Sequence, residues 1–189
     1  MDRAATFLSW LFNPLCAVTV LCVAVGVTHP TWWGPDLVTW ILLAGVPALL
    51  LGIGLHAGIW HDPDISALPE RRTFLPWVAL SSLLLAGWAV VGQFPAGLRF
   101  MTLAIACWLV IAAGVSLAWK ISLHVGSTLG AALLGAYLIA HWLAMVAPGL
   151  ALAVAWARVR LRQHTVAQVI AGGMAAMVAV AFAARLTPP

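Results

Sequence analysis

Leu98-Arg99-Phe100-Met101-Thr102-Leu103-Ala104-Ile105-Ala106-Cys107-Trp108-Leu109-Val110-Ile111-Ala112-Ala113-Gly114-Val115-Ser116-Leu117-Ala118 runs for 21 residues with one charge, Arg99. A helix needs roughly 20 predominantly apolar residues to cross a bilayer core. Six more apolar runs flank this one, near 9–28, 37–59, 74–92, 126–141, 145–157 and 166–184. Across all 189 residues, 64% are hydrophobic and 7% charged, with a mean hydropathy of +1.06. Soluble domains carry about 25% charged residues. A chain this poor in charge cannot cover itself against water, so most of its surface must meet lipid. The expected fold is all-α: a polytopic membrane bundle of about six to seven transmembrane helices, one domain over 1–189.

The first apolar run is read as a span. Arg3 alone leads into it, and Val27-Thr28-His29 lacks the small residues of a leader cleavage site. Cys16, Cys22 and Cys107 sit singly inside apolar runs and read as small hydrophobes, not as a disulfide or metal framework. Gly126, Gly130, Gly135, Gly172 and Gly173 suit close helix approach in lipid. Trp32, Trp33, Trp40, Trp60, Trp77, Trp119, Trp142 and Trp156 fall near run ends, as interfacial anchors do. The net charge of +4 is expected to meet anionic headgroups or phosphate ligands, not nucleic acid.

Alternate crossing of seven spans puts the N-terminus and the connections 60–73, 119–125 and 158–165 on one face. That face carries Arg3, Arg71, Arg72, Lys120, Arg158, Arg160 and Arg162, leaving Arg99 and Arg185 opposite. His61, Asp62, Asp64, Glu70, His124 and His164 share it. The basic excess favours a cytoplasmic position for this face in a multi-pass cell-membrane protein. Two of its connections hold patterned chemistry. One reads Lys120-Ile121-Ser122-Leu123-His124; the other spaces Arg158, His164, Gln168 and Gly172 as Arg-x5-His-x3-Gln-x3-Gly. Phosphate-ester hydrolysis by histidine needs a nucleophilic imidazole, an acid for the leaving oxygen, and fixed cationic donors around the phosphoryl oxygens. Arginine suits the last task through its planar fork.

These motifs resemble the type 2 phosphatidic acid phosphatase (acid phosphatase–haloperoxidase) superfamily, whose patterns are Lys-x6-Arg-Pro, Pro-Ser-Gly-His and Ser-Arg-x5-His-x3-Asp. The resemblance covers roughly residues 60–175. The second pattern corresponds to Ser122-Leu123-His124 and the third to Arg158, His164 and Gln168. Glu70-Arg71-Arg72 stands where the first would lie, without its leading Lys. The resemblance implies a membrane lipid phosphatase acting on an isoprenoid (di)phosphate or phosphatidate-like lipid. His164 would be the nucleophile, forming a phosphohistidine, and His124 the acid for the leaving oxygen. Gln168 would orient His164, while Arg71 or Arg72, Lys120, Ser122 and Arg158 hold the phosphoryl group. No cofactor or metal is implied. The family has Asp where this chain has Gln168; an amide oxygen can fix the imidazole tautomer but brings no charge to stabilise its cation.

Two other classes remain in view. A non-catalytic membrane protein could use the same cationic pocket to bind or move lipid phosphates. A prenyl-transfer or cyclising enzyme could use Asp62 and Asp64 with magnesium. His61 with that pair reads more simply as a solvated loop, and His29, His56 and His141 have no assigned role.

Overall fold

Asn13-Pro14 breaks the first apolar run. The residue before a proline avoids the α region, and Pro14 has no amide to give to a preceding turn. In the computed structural model, which describes residues 2–187, α1 (Arg3–Leu11) and α2 (Pro14–Thr28) are therefore separate helices meeting at 51°. The Asn13 side chain caps α2 by accepting from the Cys16 amide at 2.9 Å. The expected single span over 9–28 is thus a bent pair, and α1 turns aside to pack on α8.

The remaining runs become helices close to their expected limits. A 3₁₀ turn (Pro30–Trp32), α3 (Trp33–Trp40), a π turn (Ile41–Gly45) and α4 (Val46–His56) form one apolar length over Pro30–His56. Then come α5 (Leu68–Val91), α6 (Ala96–Val115), α7 (Leu123–Leu138), α8 (Leu143–Arg160) and α9 (Val166–Leu186). Among the described residues five segments are long and apolar enough to cross a bilayer, six if α1 and α2 count as one. The exception is α7, whose 16 residues span about 24 Å at 1.5 Å per residue. It packs against α2, α6, α8 and α9, and Leu123–Leu129 are all buried. A helix enclosed by protein need not match the lipid thickness.

The outer surface is apolar: Val91, Met145 and Trp10 are among its most exposed side chains. Such a surface is what lipid covers, and the protein is a helical membrane bundle. Trp60 departs from the interfacial expectation. It is buried over Gly54, stacks edge-on against Phe74, and donates its indole N–H to Thr73 Oγ1 at 3.0 Å. Trp33, Trp40, Trp77, Trp119, Trp142 and Trp156 are exposed. The connections after α4, α6 and α8 gather at one end of the bundle beside α1, tied by hydrogen bonds between Ser66 and Gln163, Arg71 and Ile121, and Arg158 and Ser9.

Candidate anion site at one end of the bundle

Three elements deliver the site. The last turn of α8 carries Arg158, and the turn after it carries His164. The capped start of α7 carries His124, with Ser122 as N-cap accepting from the Val125 amide. The start of α9 carries Gln168 inside a capping box. Thr165 Oγ1 accepts the Gln168 amide, while Gln168 Oε1 accepts the Thr165 amide at 3.1 Å. The α7 and α9 starts are fastened backbone to backbone, the Ser122 amide donating to the Gln168 carbonyl at 3.0 Å. Their N-terminal partial charges both favour an anion nearby.

Gln168 Oε1 also lies 3.2 Å from His164 Nδ1. An amide oxygen only accepts, so Nδ1 carries the proton and Nε2 keeps its lone pair. Nε2 is buried and has no partner among the described residues. Burial first, then the charges of Lys120, Arg71 and Arg158, push the His164 imidazole down to about 3, against a smaller upward pull from Gln168. His164 is a neutral, oriented base at physiological pH.

Arg158 is 1% exposed. Its Nη1 donates to Ser9 Oγ and to Asp64 Oδ2, each at 2.6 Å, and stands 3.5 Å from His124 Nε2. Its Nε and Nη2 have no partner among the described residues. Asp64 Oδ1 lies 3.7 Å from His124 Nε2. Lys120 reaches across to the Gln163 carbonyl at 2.9 Å. Its ammonium is pushed down to about 8, by burial first and then by Arg71 and Arg158, with Asp62 and Asp64 opposing.

Two of the expected phosphate ligands are placed differently. Arg72 is exposed and turned away from its buried neighbour Arg71, so of that pair only Arg71 belongs to the cluster. Arg71 donates through Nε to the Ile65 carbonyl at 2.8 Å and through Nη1 to the Ile121 carbonyl at 2.6 Å. It thereby stitches the loop after α4 to the one after α6. Ile65 accepts that bond from a left-handed conformation, φ 47°, which a β-branched residue takes only under constraint. Ser122 is fully buried and its hydroxyl is engaged as the α7 cap.

The Asp62/Asp64 pair has other work than metal binding. Asp62 accepts the Asp64 and Ser66 amides, both at 2.7 Å, shaping its loop. Among the described residues no group of three or more His, Cys, Asp or Glu side chains is arranged to hold a metal ion. His61 pairs with Glu70 at the surface.

Ser9 is a site neighbour that the sequence does not single out, and Asp64, singled out there only with Asp62 as a magnesium pair, enters the site as a partner of Arg158. Asp64 stood in the polar connection beside Glu70-Arg71-Arg72, which was a usable signal; Ser9 sits in an apolar run and offered none. Below Asp64 and His124 opens a cavity of about 250 Å³, walled by apolar side chains including Trp10, Leu51, Phe74, Val78, Trp108 and Leu109. His124 and Asp64 line it, whereas His164 does not. Comparison with family models, with curated proteins and with solved structures gives no match.

Proposed function

We propose that this protein is a membrane lipid phosphatase of the type 2 phosphatidic acid phosphatase kind, working without a metal. One observation carries the reading: a neutral histidine with an oriented Nε2 and an arginine are both buried at this end of the bundle, close enough for the arginine's charge to act on the imidazole, and Nε2 of the one and Nε and Nη2 of the other have no partner among the described residues. Buried donors without partners are costly, roughly 1–3 kcal/mol each and more when charged. A phosphoryl group supplies acceptors for Arg158 and an electrophile for His164 together.

In this mechanism Arg158 and Lys120 draw charge from the phosphoryl oxygens, with Arg71 adding its field. His164 Nε2 attacks phosphorus as the ester bond to the lipid oxygen breaks. Gln168 holds Nδ1–H so that the attacking lone pair faces the substrate. His124, which burial and then Arg158 hold largely neutral, gives its proton to the departing lipid alkoxide from the protonated form that the nearby Asp64 carboxylate supports. Water then cleaves the phosphohistidine, losing a proton to His124 and releasing phosphate and a neutral His164. The apolar cavity meets the site on the His124 side, which suits a leaving group with an isoprenoid or acyl chain. The substrate class is a single lipid phosphate or diphosphate drawn from the bilayer.

Phosphate release by purified protein across a panel of lipid phosphates, with chelator present, tests this. Wild type should turn over and His164→Ala should fall to background while folding and extracting normally. Equal rates for the two remove the enzymatic reading. The neutral Gln168 favours a second reading, a binder of lipid phosphates that does not hydrolyse them. Tight lipid-phosphate binding without turnover would establish that alternative.

A further inference from the structure

Arg158 has five N–H donors in a rigid fork. Both hydrogens of Nη1 are taken, one by Ser9 Oγ and one by Asp64 Oδ2, at 2.6 Å each. The remaining edge, Nε with Nη2, is buried and has no partner among the described residues. That edge is one with which a guanidinium can grip a phosphate through two parallel bonds. Ser9 comes from α1 and Asp64 from the loop after α4, so the two tethers approach from elements unrelated to the Arg158–His164 segment.

We infer that Asp64 and Ser9 are positioning residues for anion binding: they fix Arg158 by Nη1 so that its Nε–Nη2 edge faces the phosphoryl group. The inference rests on the anion site proposed above and adds to it two residues outside the motif segments. It also gives a reason for a carboxylate within an anion site. By Coulomb's law alone Asp64 repels a phosphate and its removal should tighten binding. As an orienting group its removal should loosen binding, because the fork is then free to swing.

The two signs make the test. Binding of inorganic phosphate to the detergent-solubilised full chain is measured by calorimetry for wild type, Asp64→Asn, Asp64→Ala and Ser9→Ala. Chloride competition is run in parallel, and thermal unfolding reports folding. The orienting role predicts phosphate binding about tenfold weaker in Asp64→Ala, the size of one lost bond to a charged group. Ser9→Ala, which changes no charge, should weaken phosphate in the same direction by a smaller factor. Asp64→Asn, which keeps one weaker acceptor, should fall between wild type and Asp64→Ala. Chloride has no use for a two-pronged grip, so the preference for phosphate over chloride should drop in each variant that folds. A mere loss of stability would lower the unfolding temperature without changing that preference.

Phosphate binding unchanged or tighter in Asp64→Ala overturns the inference, as does wild-type protein that binds no phosphate. If Asp64→Ala does not fold, Ser9→Ala decides by the same criterion. Phosphate bound by wild type and loosened in the variants, with no lipid phosphate hydrolysed, upholds the inference and removes only hydrolysis.

Discussion

His164 is held neutral by its surroundings, and that has a consequence for folding. Burial and the neighbouring cations depress its value to about 3, while an unfolded chain would have the ordinary imidazole value near 6.5. Between those limits the unfolded chain binds a proton that the folded chain refuses. Stability is therefore full above about 6.5 and declines as pH falls toward 3. Thermal unfolding in detergent at pH 7.5 and pH 4.5 should show a drop at the lower pH. That drop should be smaller in His164→Asn, which has nothing to titrate; equal drops would mean His164 is not the source. Arg158 makes a second residue-scale prediction. A lysine cannot hold Asp64 and Ser9 while also gripping a phosphate on a second edge. Arg158→Lys should lower turnover or phosphate affinity at least tenfold, about 1.4 kcal/mol. Arg160→Lys should change little, since Arg160 only pairs with Asp2 at the surface. Arg162→Lys, also exposed, should behave likewise. A flat result across all three would make Arg158 a membrane anchor.

Between elements, the α7–α9 contact fixes the two histidine-bearing segments against each other. A Cβ built on Gly172 would stand 2.3 Å from the Ser122 carbonyl oxygen and 3.1 Å from its carbon. These are backbone atoms that cannot rotate aside. Gly172→Ala should push α9 off the start of α7, lengthen the Ser122–Gln168 bond, and destabilise by about 2 kcal/mol, within the range for overpacking. Gly173→Ala meets only ordinary side-chain contacts at 3.5 Å or more and should be close to neutral. Unfolding temperatures and phosphate affinities of the two variants check this; a harmless Gly172→Ala would mean the contact is loose. The same helices show what was readable beforehand. Gln168 could be placed near His164 because the two are four residues apart, although His164 lies in the turn before the Thr165 cap and not on the face of α9 that the spacing implied. The apolar runs marked nearly every helix for the same local reason. The pairing of Arg158 with Asp64 and Ser9 was not readable, the partners being 94 and 149 residues away. Nor was the Arg71/Arg72 choice, since helix rotation relative to neighbours decides which of two adjacent arginines is buried. The second use of Gln168, in the α9 capping box with Thr165, was legible in Thr165-x-x-Gln168 but hidden behind its motif role.

On the scale of the whole molecule, the two ends differ in charge, and that sets an orientation. Seven of the nine basic residues lie at the site end. Arg71, Lys120 and Arg158 are there for the cluster and say nothing about topology. Arg72 leaves that group, because it is exposed and apart from the pocket. The topological comparison is then Arg3, Arg72, Arg160 and Arg162 against Arg99 and Arg185. Lysine and arginine near span ends are retained on the cytoplasmic side, so the site end should be cytoplasmic, drawing substrate from the inner leaflet. Cysteine labelling in whole cells decides it, in a background lacking Cys16, Cys22 and Cys107. Ala67 is exposed in the loop before α5 at the site end, and Gln93 is exposed in the turn between α5 and α6 at the other. An impermeant maleimide should label Gln93→Cys from outside and reach Ala67→Cys only after the membrane is opened. The reverse pattern would place the site outside and show that four arginines against two are too few to govern insertion here. His124 would then release its alcohol product into the outer leaflet, so the same pair of cysteines also decides which leaflet the cavity serves.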